Sequence, residues 1–155
     1  MDSLEFVWTD GMNDDFRKFF KATEEYYDDV VGGDKELGKQ FVPNNTPALI
    51  TQVLIVYVSE RPVACAGLKK YSERAVEIKR MWVEPKYRKK GIATAMVEEL
   101  GKKAKELGYK KIIIEAHKNM TEAIKLASKC DFEKIVAYPP YDHFERSNCF
   151  AKAVA

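Results

Sequence analysis

An apolar and polar alternation through Val76, Ile78, Met81 and Val83 meets a turn at Glu84-Pro85 and then a basic segment, Lys86-Tyr87-Arg88-Lys89-Lys90-Gly91. An apolar set of helical period follows at Ile92, Ala95, Met96, Leu100, Ala104 and Leu107. Beyond Gly108, placed as a left-handed helix stop, residues 111–116 form another short apolar run. Strand, helix and strand in this order predict a right-handed parallel crossover, which restricts the chain to a sheet flanked by helices. The loop also carries a chemistry. The first N–H groups of a helix point outward without partners, Gly91 and Ala93 let a bulky anion approach the backbone, and Arg88, Lys89 and Lys90 add positive charge. A helix N-terminus of this kind is a phosphate site.

The remaining chain fits around that unit. Leu4, Phe6 and Trp8 alternate with Glu5, Val7 and Thr9 and predict a strand at or near a sheet edge, ended by Asp10-Gly11. Over residues 13–31, Phe16, Phe19, Phe20, Tyr26, Tyr27 and Val30 recur at helical spacing behind Asn13, Asp14 and Asp15, and Gly32-Gly33 ends the helix. Its far end bears Glu24, Glu25, Asp28 and Asp29, which either form a solvated face or meet a cationic substrate. Residues 34–47 read as an irregular loop, the kind of segment where substrate selectivity resides. Residues 52–59 and 63–70 form a hairpin, and residues 75–83 extend it into an antiparallel meander. A short helix over 121–129, a strand over 132–137, a loop over 138–146 and a closing strand over 148–154 complete an α/β chain.

Composition narrows the function classes. A length of 155 residues with 46% hydrophobic and 32% charged residues suits a single domain, 1–155, with a real core and no disordered tail. The net charge of +2 is too small to imply a polyanion partner, although cations gather between Lys86 and Lys111. A nucleic-acid-binding module therefore stays open as an alternative, disfavoured because no aromatic ladder is interleaved with those cations. Cys65, Cys130 and Cys149 show neither disulfide arithmetic nor metal spacing and are expected as buried thiols in a reducing, cytoplasmic setting, with no metal bound. The N-terminus lacks the layout of a signal peptide, and the most apolar run, 48–58, is too short and polar to span a bilayer, so no membrane role is expected.

The pattern Arg88-x-x-Gly91-x-Ala93, a strand before it with Glu77 eleven residues upstream of Arg88, and Ala123-x-x-Leu126 followed by Lys129 and Phe132 resemble the GNAT superfamily of N-acetyltransferases over roughly residues 50–137. The resemblance implies a mixed, mostly antiparallel sheet of six or seven strands, helices on both faces, and one parallel strand-helix-strand unit at a CoA cleft. It implies acetyl-CoA as cosubstrate, its pyrophosphate held by Arg88, Lys89, Lys90, Gly91, Ile92, Ala93 and Thr94. It also implies a bulge in the strand before the loop, with the Met81 N–H near the thioester oxygen and the Val83 backbone along the pantetheine arm. Glu77 would take the proton of an attacking primary amine, directly or through water. The acceptor would be a small-molecule or protein amine, and a homodimer is compatible with the pattern. Direct attack needs no covalent enzyme intermediate.

The chain departs from that pattern at several positions. Ala127 stands where many members carry the tyrosine that protonates the departing thiolate, Asp131 where a glycine precedes Phe132, and Met120 at the place of a CoA-contacting asparagine, with Asn119 one position early. Tyr138 and Tyr141 are substitute proton donors, and Tyr141 is taken as the catalytic one. Ala127 also leaves open a catalytically silent acyl-CoA-binding regulator. Other readings stand beside these: Glu77 as a strand carboxylate paired with Lys79, Arg80 or Lys69, the 88–90 cations as a solvated turn, and His117 and His143 as surface or loop histidines rather than bases.

Overall fold

In Gln52–Val58 (β2), Val53 and Ile55 pack on one side with Phe16, Phe19 and Phe20, while Leu54, Val56 and Val58 pack on the other with Ile92, Met96, Val97 and Leu100. Alternate side chains of one strand thus feed two cores, as they must in a sheet covered on both faces. The computed structural model describes residues 3–31 and 47–154. Around β2 lie Leu4–Thr9 (β1), Asp14–Val31 (α1), Arg61–Lys70 (β3), Ala75–Val83 (β4), Ile92–Glu106 (α2), Lys111–His117 (β5), Thr121–Lys129 (α3), Glu133–Ile135 (β6) and Ser147–Ala153 (β7). The sheet has seven strands in the order β1-β2-β3-β4-β5-β7-β6. All neighbouring pairs are antiparallel except β4 and β5, which are parallel on either side of α2. The expected fold class and the edge position of β1 are both observed.

Local chemistry fixes the helices. Asn13 Oδ1 accepts the Phe16 N–H at 3.1 Å, and Asp14 and Asp15 occupy the first turn of α1 beside the positive end of its dipole. Gly108 has φ of +89°, the left-handed stop expected after α2, and Leu107, counted with the apolar face, caps the helix at 46% exposure. The expected stop at Gly32-Gly33 and the irregular loop through residue 46 lie outside the described residues.

Two strand readings need correction. The strand expected over 132–137 shrinks to Glu133–Ile135, because the Phe132 N–H closes the end of α3 on the Ala127 carbonyl at 2.9 Å and its ring enters the core. Val136 is left 92% exposed. His117, expected at the surface, is 2% exposed at the end of β5, where its Nδ1 accepts the Asn119 N–H at 3.1 Å. The three cysteines are free and buried, as expected. No described helix is long and apolar enough to cross a membrane.

Two irregularities in β4 open the sheet on one side. Its parallel pairing with β5 runs only through Ala75 with Lys111, Val76 with Ile112 and Glu77 with Ile113. After Glu77, β4 stays with β3 as far as Val83 opposite Ala64, while β5 stays with β7 as far as His117 opposite Ser147. The two strands therefore diverge and open a gap in the sheet. Within the diverging part, Lys79 lies opposite Gly67 and Trp82 opposite Cys65, so Arg80 and Met81 together face the single residue Ala66. This is a β-bulge, in which Arg80 takes a left-handed φ of +54°. Gly67 sits where a Cβ would lie 2.4 Å from Ile50 Cγ2, so only glycine lets Ile50 cover the sheet there.

Candidate active site

The gap between β4 and β5 opens into a cleft of about 920 Å³. Its floor is Glu77 to Val83 on one side and Ile114 and Glu115 on the other; α1, the start of α2 and one face of α3 supply the walls. A cleft beyond the carboxyl ends of two parallel strands is where open α/β sheets bind ligands. Among the described residues, no group of three or more His, Cys, Asp or Glu side chains is arranged to hold a metal ion.

One end of the cleft is formed by the basic loop and the start of α2. Residues Pro85–Tyr87 form a 3₁₀ turn, Arg88 returns to extended backbone, and Lys89 and Gly91 take φ of +61° and +83°. The first backbone bond of α2 runs from the Ala95 N–H to the Gly91 carbonyl at 3.1 Å, and no side chain caps the helix. The N–H groups of Ile92, Ala93 and Thr94 thus belong to the first turn, which lacks intrahelical acceptors, and all three residues line the cleft. Gly91 has nothing within 4 Å of where a Cβ would stand, so its role is conformational: the left-handed backbone that starts the helix. Lys89 also lines this end, whereas Lys90 turns toward the Tyr87 ring, 5.9 Å from its centroid.

Arg88 is held at the rim. Its guanidinium stacks 4.7 Å from the Trp82 ring centroid, and Nε donates to the Val83 carbonyl at 2.7 Å. That bond ties the basic loop to the end of β4 and occupies one of the five guanidinium N–H groups. Trp82 in turn meets Tyr26 of α1 edge to face at 5.7 Å. Arg80, thrown to the α1 side by the bulge, lies 3.9 Å over the Phe20 ring, donates to Thr23 Oγ1 at 3.0 Å and approaches Glu24 at 3.8 Å. Aromatic stacking and the Thr23 bond give a half-buried cation its partners and pin α1 against the bulge.

The other end holds a compact polar network. Glu77 is 6% exposed; Lys79 Nζ lies 3.0 Å from its Oε1, and the Tyr138 hydroxyl donates to its Oε2 at 2.6 Å. Lys79 Nζ also donates to the Tyr141 hydroxyl oxygen at 2.7 Å. Burial, with the negative charge of Glu77 second, pushes both phenols well above the ordinary tyrosine range. Tyr141 lines the cleft, and Tyr138 stacks behind it, ring centroids 5.4 Å apart. Of the ion pairs considered for Glu77, the one with Lys79 is realised.

Glu115, which sequence reasoning did not single out, faces the same gap from β5. Its Oε2 is shut off from solvent with no hydrogen-bond partner, and Ser147 Oγ, nearby on β7, likewise completes no bond. Burial pushes the Glu115 carboxyl up to about 7; the charge of Glu77 adds to the rise, and Ser147 and Lys79 oppose it. A glutamate inside the strand Lys-Ile-Ile-Ile-Glu-Ala-His gives one sequence signal, a charge in an otherwise apolar run. The divergence of β4 from β5, which leaves it facing a cleft, is not written there.

The expected site residues therefore come together. Glu77, Met81, Val83, Arg88, Lys89, Gly91, Ile92, Ala93, Thr94 and Tyr141 all line one cleft, with Lys90 on the same loop beside it. Ala127 is buried in the core under α3, while its neighbours Ala123 and Leu126 line the cleft. Glu24, Tyr26, Tyr27 and Asp28 bring the acidic end of α1 to the cleft as well.

The sequence of residues 8–132 matches the acetyltransferase (GNAT) family. No curated protein gives a significant match. Among solved structures, the fold is similar to that of a candidate acyl-CoA N-acyltransferase from Klebsiella pneumoniae subsp. pneumoniae MGH 78578, at TM-score 0.80 and 15% identity over 98% of each chain. It is similar also to a GNAT family acetyltransferase from Elizabethkingia anophelis with acetyl-CoA bound, at TM-score 0.68 and 15% identity over 99% of each chain. A third similar structure is the PaiA N-acetyltransferase from Thermoplasma acidophilum in complex with coenzyme A, at TM-score 0.69 and 15% identity over 97% of this chain and 99% of that one.

Proposed function

The chain belongs to the acetyltransferase (GNAT) family, and from that premise we propose that it moves an acetyl group from acetyl-CoA to a primary amine by direct attack. The observation that carries the reading is the gap between β4 and β5, which has an uncapped helix N-terminus at one end and buried proton-handling side chains at the other. A diphosphate fits the first end, on the N–H groups of Gly91 to Thr94 with Arg88 and Lys89 beside it. A pantetheine arm then runs past Val83, and the thioester carbonyl comes to the bulge, where the Met81 N–H faces the oxyanion that develops on attack. That solved structures of similar fold bind acetyl-CoA or coenzyme A supports this seating.

The acceptor amine enters between α1 and the diverging strands. Glu24 and Asp28 face the cleft there beside Tyr26 and Tyr27, which supports a cationic acceptor over a neutral or acidic one. When the tetrahedral intermediate collapses, the thiolate needs a proton. Of the two substitute donors, Tyr141 and not Tyr138 lines the cleft; because it accepts a bond from Lys79, its own hydroxyl proton is given to another group. Glu77 lies at the branch point of the two strands, with donors on both oxygens. We place the enzyme in the cytoplasm, a setting its three buried free thiols suit.

Calorimetric titration with acetyl-CoA, followed by detection of free CoA thiol over a panel of primary amines, tests this. Saturable binding with amine-dependent thiol release is the expected result. Binding without release across diamines, lysine and arylalkylamines would favour the silent regulator, and absence of binding would remove the reading altogether.

A further inference from the structure

We propose that Glu115, rather than Glu77, receives the proton of the acceptor amine, and that Glu77 is a positioning residue that fixes Lys79 and Tyr138. This rests on the acyl-transfer reading above. Glu77 has no oxygen to spare: Lys79 holds Oε1 at 3.0 Å and Tyr138 holds Oε2 at 2.6 Å, both inside a site where Glu77 is 6% exposed. A proton added to either oxygen would weaken one of these charge-assisted bonds, which are the stronger kind. Glu115 is the opposite case. It lines the same cleft two residues past Ile113, the last β5 residue paired with β4, and its Oε2 closes no hydrogen bond of full geometry among the described residues, the nearby Ser147 hydroxyl only partly offsetting its charge.

An unsatisfied buried carboxylate oxygen is costly while ionised, and the cost is relieved when a proton or a donor arrives. The N–H of an approaching neutral amine supplies both. The groups that set the balance surround Glu115: Glu77 and Lys79 on β4, Ser147 and Cys149 on β7, Tyr141 on the 3₁₀ turn, and Glu24 and Asp28 across the cleft on α1. With the carboxyl raised to about 7, Glu115 is poised where a general base is most effective near neutrality.

The amine N–H bond breaks and its proton passes to the Glu115 carboxylate, directly or through one water. The nitrogen electron pair forms the bond to the acetyl carbon, the C–S bond breaks with its electrons going to sulfur, and the thiolate takes a proton from Tyr141, which solvent replaces. The Glu115 proton returns to solvent before the next turn.

Glutamate labelled with ¹³C at its side-chain carboxyl allows a test that needs no turnover. The wild type is expected to show one resonance titrating near neutrality, and Glu115→Gln to lack it. The companion measurement is kcat/KM against pH with putrescine and tyramine. Glu115→Gln should lower the plateau by about a hundredfold or more and erase the inflection near neutrality, with acetyl-CoA affinity unchanged. Glu115→Asp should retain the inflection at reduced rate, and Glu77→Gln should lose rate but keep it. A Glu115→Gln enzyme that keeps both the near-neutral resonance and a rate within threefold of wild type overturns the proposal. So does a Glu77→Gln enzyme that loses the inflection while Glu115→Gln keeps it. If the wild type fails to bind acetyl-CoA while the resonance behaves as described, the acyl-transfer reading fails, not the placement of the titrating group.

Discussion

Glu77 of β4 and Ile113 of β5 form the last parallel pair before the two strands separate. Upstream of that pair the sheet is continuous and its side chains are core: Ala75, Val76 and Ile112 are at most 2% exposed. Downstream of it every β4 residue as far as Val83 lines the cleft, and so do Ile114 and Glu115 on β5. The position of one pairing limit thus separates residues buried in the core from residues that line the cleft.

The anion end of the cleft should tolerate loss of charge and loss of conformation differently. Arg88→Ala removes a cation from the diphosphate position and is expected to weaken acetyl-CoA binding by about tenfold, ~1.4 kcal/mol, with a smaller salt dependence than wild type. Gly91→Ala meets no atom but forces a Cβ onto a φ of +83°, at a cost of about 1 kcal/mol in stability. Calorimetry and urea denaturation separate the two. Equal effects of both variants on affinity alone would contradict the assignment.

Tyr138→Phe should be felt as stability more than as binding. The phenol hydroxyl is the donor to Glu77 Oε2, and removing it leaves a buried carboxylate oxygen without a partner. The expected loss is about 1–3 kcal/mol, read as a lower urea midpoint at an unchanged slope. Acetyl-CoA affinity should stay near wild type, since Tyr138 does not line the cleft.

Stability against pH carries the signature of Glu115. Its carboxyl rises from the ordinary 4.5 to about 7 on folding, so between those values the folded chain holds a proton that the unfolded chain has lost. The contribution is fully present below 4.5, falls as pH rises, and is gone above 7. Its full size is about 3 kcal/mol. The quantity to measure is the difference between wild type and Glu115→Gln by urea denaturation from pH 4 to 8. That difference should shift toward the variant's favour as pH increases, and a flat difference would contradict the raised carboxyl.

Much of this was legible in the sequence because it depends on local pattern. The basic loop, the left-handed Gly108 that stops α2, the start of α2 and the parallel crossover follow from residue order, and the structure brings Met81, Val83 and Tyr141 to one cleft as expected. What the sequence concealed depends on contacts between distant segments. Glu115 looks like an ordinary strand residue until β4 turns away from it. His117 looks like a surface histidine until the return of β7 buries it. Likewise, the paired state of Glu77 needed Tyr138, sixty-one positions on, to be placed against it.

The central claim is that backbone amides at the start of α2 grip the cofactor diphosphate. Amide chemical-shift mapping during an acetyl-CoA titration tests it most directly. The account predicts saturable shifts concentrated at Lys89 to Thr94 and at Met81 to Val83, with the amides of β1 and of the far end of α2 unmoved. Saturable shifts confined to other surfaces, or none at millimolar acetyl-CoA, would contradict it.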